Sequence, residues 1–295
     1  MRSPQVSDSR AGLAIPAGMI LLASYPKSGN TWLRILLSNL VHDGERPQDI
    51  NELLVAGTIA SDLQLLTDLT LLDSHLLRDD EIERLRPDTL ERFAAEQDCA
   101  TFIKVHDAYR HLPPGGVPLV GRAARAAVYV VRDPRDVVLS YAAHNDCAIG
   151  KAIADLNDSA NTFHDKRRRQ ARLQVCDWSG HVRSWLDQRE VPVYAVRYED
   201  LSTDTVTEFM RVLDFIGVTV AGERIARAVR HSAFSELQRQ ERDKGFVERG
   251  GHAPFFRSGK IGGWREHLTP AQVRQIENAH GAVLERMGYR REMTQ

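Results

Sequence analysis

At 295 residues, 42% hydrophobic and 27% charged, the chain has material for one large α/β domain or two small ones. A formal net charge of −1 excludes a global field for nucleic acid or a membrane surface, so basic sites must be local. The three cysteines, Cys99, Cys147 and Cys176, are widely spaced. They fit a reducing, cytoplasmic compartment and neither a disulfide framework nor a zinc pattern.

Residues 1–18 carry charges and prolines without an apolar centre. They are expected to be a flexible leader rather than a signal peptide, ahead of one domain over 19–295. No apolar run approaches the ~18 residues of a membrane helix. Residues 19–23 are a short apolar run suited to a buried strand. A turn of small residues follows over 24–31, with Pro26, Gly29 and Asn30. From Thr31 the apolar residues fall at helical spacing: Trp32 and Leu33, Leu36 and Leu37, Leu40 and Val41. The free N–H groups and dipole of such a helix start favour an anion. Lys27, Ser28 and Thr31 add a cation and two hydroxyls, so the loop reads as a phosphate or sulfate cradle. It is not the nucleotide-triphosphate pattern, because the lysine precedes the glycine and no acidic strand end suited to magnesium stands out.

Residues 49–97 are mostly helical in pattern, with a helix start at Asp79-Asp80. Strands are expected at 101–105, 126–131 and 191–198, the last with Pro192 near its start. Asp133-Pro134 offers an N-cap and a first-turn proline for a helix. Residues 144–175 look polar and irregular and hold the basic run 166–169, read as a solvated face. Helices are expected at 205–216, at 221–231 and after Thr269-Pro270. Residues 242–263 hold six glycines and form a long loop.

Strands separated by helices predict a single α/β domain with a central parallel sheet flanked by helices. Ligands of such sheets sit beyond the carboxyl ends of the strands. Three polar clusters converge there: residues 24–31, Lys104 with His106, and Arg132 with Asp133. Arg132 offers a planar fork for phosphate, and Ser140 can donate to the same group. Two anion sites imply a ligand with two separated anionic ends.

The sequence resembles the sulfotransferase family that uses 3′-phosphoadenosine 5′-phosphosulfate (PAPS). Tyr25-Pro-Lys-Ser-Gly-Asn-Thr-Trp32 is similar to the P-loop-like segment that binds the 5′-phosphosulfate. The resemblance thus implies donor contacts from Lys27, Ser28, Gly29, Asn30, Thr31 and Trp32. Arg132 and Ser140 correspond to the 3′-phosphate site. Lys104-Val-His106 matches the family's Lys-Thr-His, which makes His106 the base, with Lys104 near the sulfuryl oxygens and Lys27 at the departing phosphate. The segment 255–264 resembles the glycine-rich loop over the nucleotide and brings in Phe255, Arg257, Ser258 and Gly259. Tyr198, Ser232 and Phe234 are weaker matches, Phe234 flanking the adenine.

The implied reaction is sulfuryl transfer to a hydroxyl of a small-molecule acceptor, by in-line transfer and without a metal. It asks for a base and for positive groups at the developing charge. The chain departs from the family at Ser258, where a lysine is usual and Lys260 is the nearest substitute. It also lacks the family's dimerisation motif. The competing expectation is a small-molecule kinase on a related phosphate-binding fold, which the Lys-before-Gly order argues against.

Overall fold

The computed structural model describes residues 13, 15–113, 116–164 and 169–292. Residues 1–12 and 14 of the expected leader fall outside them, as do residues 166–168 of the basic run. Four strands form one parallel sheet: β1 (Gly18–Ser24), β2 (Ala100–Val105), β3 (Ala124–Val131) and β4 (Val193–Arg197). Their order across the sheet is β2-β1-β3-β4. The chain leaves β1 to one side for β2 and returns to its other side for β3. That reversal opens a crevice at the carboxyl ends of β1 and β3, where ligands of open α/β sheets bind.

Alternation along β1 explains the layers, because successive side chains of a strand point to opposite faces. Met19, Leu21 and Ala23 pack with Tyr129 of β3, with α4 (Pro134–His144), α5 (Ile149–Asn157) and α6 (Trp178–Asp187), and with the helix Pro270–Arg286. Ile20 and Leu22 pack on the other face with α1 (Asn30–His42), α8 (Thr205–Phe215) and α9 (Gly222–His231). Every residue of β1 from Met19 onward is buried, which explains its unbroken apolar sequence.

Several boundaries differ from the sequence expectation. Helix α1 starts at Asn30, one residue early, because Gly29 takes the left-handed N-cap conformation at φ 109°. The fourth strand is shorter than residues 191–198, since Tyr198 already opens α7 (Tyr198–Thr203). Over 49–62 there is no helix; α2 (Leu63–Thr70) and α3 (Asp79–Ala95) carry the helical pattern. The expected irregular stretch 144–175 contains α5 and a short antiparallel pair, Thr162–Phe163 with Leu173–Gln174. Helix α5 buries only Ala152, Ile153 and Leu156 among polar neighbours, too sparse a stripe to stand out. The remaining two expected caps are as read: the Asp133 side chain accepts from Arg135 N, and Thr269 forms a capping box with Gln272.

The turn after β2 is held by a buried ion pair. Arg86 of α3 grips Asp107 with two bonds, 2.6 and 3.2 Å, and also donates to the Ala60 carbonyl. Asp107 accepts from Gln174 N as well, and its carbonyl takes the Trp185 indole N–H. Both ions are nearly inaccessible. Removing one partner of such a pair strands the other charge in the interior, a loss of about 3–5 kcal/mol. Asp107→Ala is therefore expected to lower unfolding free energy by about that amount in urea titration. A loss under about 1 kcal/mol would mean that Arg86 finds other partners and that this pair does not hold the turn.

Candidate active site

The crevice opens into a cavity of about 1300 Å³ at the carboxyl ends of the strands. On its floor, Lys27 adopts φ 69° and Gly29 φ 109°, which aims the start of α1 at the cavity. By position, the N–H groups of Gly29, Asn30 and Thr31 have no intrahelical partner. Gly29 cannot be replaced freely: a Cβ there would lie 2.6 Å from the Tyr198 ring. Asn30 fastens the turn to β1 through a 2.8 Å bond from its side chain to the Leu22 carbonyl. Ser28 Oγ and Arg132 Nε are buried without a partner. Donors left so are costly in a closed core but suited to a ligand that supplies oxygens.

Lys27 Nζ sits 3.8 Å above the Phe255 ring. Burial, with Lys104 nearby, pulls its pKa down to about 7. An anion close to the ammonium would restore the charged form.

His106 stands at the end of β2. Its Nδ1 is 3.0 Å from the Ser24 carbonyl and 3.3 Å from Ser24 Oγ. A carbonyl only accepts, so Nδ1 carries the proton and Nε2 keeps its lone pair, on a residue that lines the cavity. Burial first, and then Lys104, pushes the ring's pKa down to about 3. Tyr129 and His181 form a second buried line behind it: Tyr129 Oη is 2.8 Å from His181 Nδ1, and His181 Nε2 is 3.2 Å from the His106 carbonyl. His106 is thus held by both side chain and backbone.

Lys104 is pinned along its backbone by residues 58–60, with Lys104 N donating to the Thr58 carbonyl and Ala60 N to the Lys104 carbonyl. Its ammonium lies 3.1 Å from Glu248, a carboxylate that the sequence reading passed over. Glu248 also accepts from Arg34 at 2.6 Å and from Thr31 Oγ1 at 3.2 Å. Burial alone would raise its pKa, but Lys104 and Arg34 outweigh that and hold it well below the usual carboxylate range.

Arg132, at the end of β3, lies 4.3 Å over the Tyr198 ring and donates to the Lys260 carbonyl. Tyr198 Oη in turn donates to the Gly259 carbonyl at 3.0 Å. Asp136, also unremarked in the sequence, accepts from Gly262 N at 2.7 Å and Trp264 N at 2.9 Å. Its signal was the second acid in Arg132-Asp-Pro-Arg-Asp136, one turn into α4. Gly259, at φ 61°, passes so close to Phe234 that a Cβ would sit 2.8 Å from its ring.

Ser140, Phe255, Arg257, Ser258, Gly259 and Phe234 line the same cavity, as do Trp32 and Tyr198. Ser232 does not reach it. Its hydroxyl donates to the Ala228 carbonyl and accepts from Asn39, while its carbonyl takes the Trp32 indole N–H. Lys260 lines the cavity, but its ammonium also faces Glu266 at 3.7 Å. His144 lies edge-on to Phe255, and burial with Lys27 and Lys104 lowers its pKa to about 4.

The arrangement offers amides and cations at one point, a neutral imidazole lone pair beside it, and a second cation at Arg132. The tautomer is testable. In nitrogen-detected NMR, His106 is expected to remain neutral with the proton on Nδ1 from pH 8 down to about 4. A midpoint near the ordinary ~6.5 would contradict the buried, Ser24-bound ring.

The model of the sulfotransferase domain matches residues 18–288. The chain is 28% identical over 276 residues to cytosolic sulfotransferase 13 of Arabidopsis thaliana, covering 88% of this chain and 74% of that protein. It is 22% identical over 290 residues to sulfotransferase 1 family member D1 of Rattus norvegicus, covering 90% and 83%. Among solved structures it resembles retinol dehydratase in complex with androsterone and inactive cofactor PAP. That likeness has a TM-score of 0.61 and 18% identity, over 99% of this chain and 87% of that one. It also resembles mouse sulfotransferase SULT7A1 complexed with PAP, with a TM-score of 0.56 and 18% identity, over 95% and 89%. With nearly the whole chain matched, this protein belongs to the sulfotransferase domain family.

Proposed function

We propose that the protein transfers the sulfuryl group of PAPS to the hydroxyl of a small-molecule acceptor, within one domain over residues 19–295. The observation that carries this reading is the convergence of the α1 amides, Lys27, Lys104 and the His106 Nε2 lone pair on one cavity. The unpaired Arg132 donor, on a residue that lines the cavity, suits a ligand with a second anion besides the one at Lys27, whereas the Ser28 hydroxyl is buried behind the lining. PAPS supplies a sulfuryl group already activated by its phosphate. The bond from sulfur to the phosphate oxygen breaks as one to the acceptor oxygen forms, and the acceptor proton passes to His106 Nε2.

The chain's own groups divide this work. Gly29, Asn30 and Thr31 amides with Lys27 hold the 5′-phosphate and neutralise it as it leaves. Lys104 faces the transferring oxygens, and Arg132 with Ser140 takes the 3′-phosphate. Phe234 and Trp32 flank the base. These cations do the neutralising, so the reading needs no metal. The cavity is also lined by Leu63, Leu139, Tyr141, Phe163 and Leu173, interleaved with the polar Gln64, Thr67, His75 and Gln170. That mixed lining supports a small-molecule alcohol with both apolar and polar surface as acceptor. A kinase reading has less support, because Lys27 precedes Gly29 in the loop, the reverse of the nucleotide-triphosphate order.

A cytoplasmic location goes with this reading, supported by the plant relative's name and by three cysteines that form no disulfide. Among the described residues no helix is long and apolar enough to cross a membrane.

His106→Ala is expected to leave binding of adenosine 3′,5′-bisphosphate (PAP) unchanged and to lower turnover about a hundredfold or more. Turnover within about threefold of wild type would remove His106 as the base. Arg132→Ala is expected to weaken PAP by about 1.5–3 kcal/mol in calorimetric titration while sparing adenosine 5′-phosphate. Equal losses for both would show that Arg132 does not read the 3′ group.

A further inference from the structure

Among the described residues Glu248 is the carboxylate that bonds the cradle's donors, and it arrives on the loop that follows Lys244 rather than on a helix or strand. Its three donors come from two fixed elements: Thr31 and Arg34 from α1, and Lys104 from β2. Lys27 is left aside, with its ammonium over Phe255. The cradle is therefore split. The helix amides and Lys27 are open to an incoming phosphate, while Lys104 and Thr31 Oγ1 are already occupied by an anion.

Which part of the donor meets that anion follows from the chemistry of transfer. The sulfur must lie between the leaving phosphate oxygen and the acceptor oxygen, whose proton His106 takes. Lys104, near the end of β2, and His106, the first residue beyond it, line the same cavity, which puts Lys104 on the sulfuryl side. A carboxylate and a sulfuryl group each present oxygens to the same N–H and O–H donors, and one excludes the other.

We infer that Glu248 occupies the sulfuryl subsite of the nucleotide-free protein, that the sulfuryl group of PAPS displaces it, and that PAP leaves it in place. This rests on the transfer reading above. Glu248 is then a specificity residue that separates donor from product. It weakens PAPS alone, because only PAPS must break the carboxylate's bonds to Lys104 and Thr31. When the sulfuryl group has passed to the acceptor, Lys104 and Glu248 pair again, which favours the forward direction.

The loop backbone is anchored around Glu248, so the displacement is asked of the carboxylate side chain. Val247 is 72% exposed, and Gly250 and Gly251 follow Glu248 closely. The ties lie on both sides of Glu248: Val247 N donates to Asn51, and Phe255 N and Phe256 N donate to the Glu241 carboxylate. His252 is clasped by Asp146 at 2.8 Å.

The test is calorimetric titration of PAPS and PAP into wild type and Glu248→Gln. The variant is expected to bind PAPS about tenfold tighter and PAP within about threefold of wild type. Both nucleotides carry similar negative charge at the 5′ end, so mere loss of a nearby charge would tighten them equally. Equal tightening overturns the inference, and so does weakening of both, which would make Glu248 only a loop anchor. A second measurement does not depend on the variant's folding. Val247→Cys carrying an environment-sensitive fluorophore should respond to PAPS and not to PAP. The same response to both, or none to either, overturns it. If wild type binds neither nucleotide, the transfer reading falls as well; if it binds both without the selective gain, this inference falls alone.

Discussion

The contact on which the site depends is the one between the His106 ring and the Ser24 carbonyl. It joins the end of β2 to the end of β1, strands already paired in parallel with Ala23 opposite Val105. One residue beyond Ser24 the chain turns into the anion loop. The spacing between base and cradle is therefore set by a sheet register and one hydrogen bond, not by flexible side chains. The same bond assigns the ring proton to Nδ1 and leaves Nε2 for chemistry. Asp107, clamped by Arg86, keeps the following turn from pulling the ring away. A rigid support of this kind is what positioned acid–base catalysis needs.

Around that frame the site gathers Lys27, Lys104, Arg34 and Arg132, with Glu248 as the counterion of two of them. Burial and mutual repulsion bring Lys27 to about 7 and lower Lys104 too. Cations crowded this way favour an arriving anion, because its charge relieves both burial and repulsion. The low basicity of His106 has the same origin: burial and Lys104 disfavour the imidazolium. Negative charge brought close to the ring would raise its basicity, because it offsets the cost of the buried imidazolium.

Much of this was legible in the sequence where the signal is local. The order strand, small-residue loop, helix at 19–40 needs only an apolar run, a glycine and helical spacing, and β1 and α1 follow it closely. Asp133-Pro134 and Thr269-Pro270 announce helix starts through capping chemistry that acts within one turn. What escaped depends on distance in the chain. Glu248 meets Arg34 and Lys104 across separations of 214 and 144 residues, and nothing beside it in the sequence foretells either partner. Ser232 looked like a site residue from its motif, but Trp32 and Asn39 use its polar atoms behind the cavity wall. Helix α6 went unread because Trp178, His181 and Trp185 face the core among polar residues, and their burial follows from packing behind His106.

The central claim is that one point in the cavity is shared by the anion loop and the base. A crystal structure with PAP bound tests it most directly. The account predicts the 5′-phosphate on the Gly29, Asn30 and Thr31 amides and Lys27, the 3′-phosphate on Arg132, and His106 Nε2 facing the 5′-phosphate across a gap that fits one sulfuryl group. A nucleotide with its 5′-phosphate elsewhere, or with His106 turned so that Nε2 faces Ser24, would contradict it.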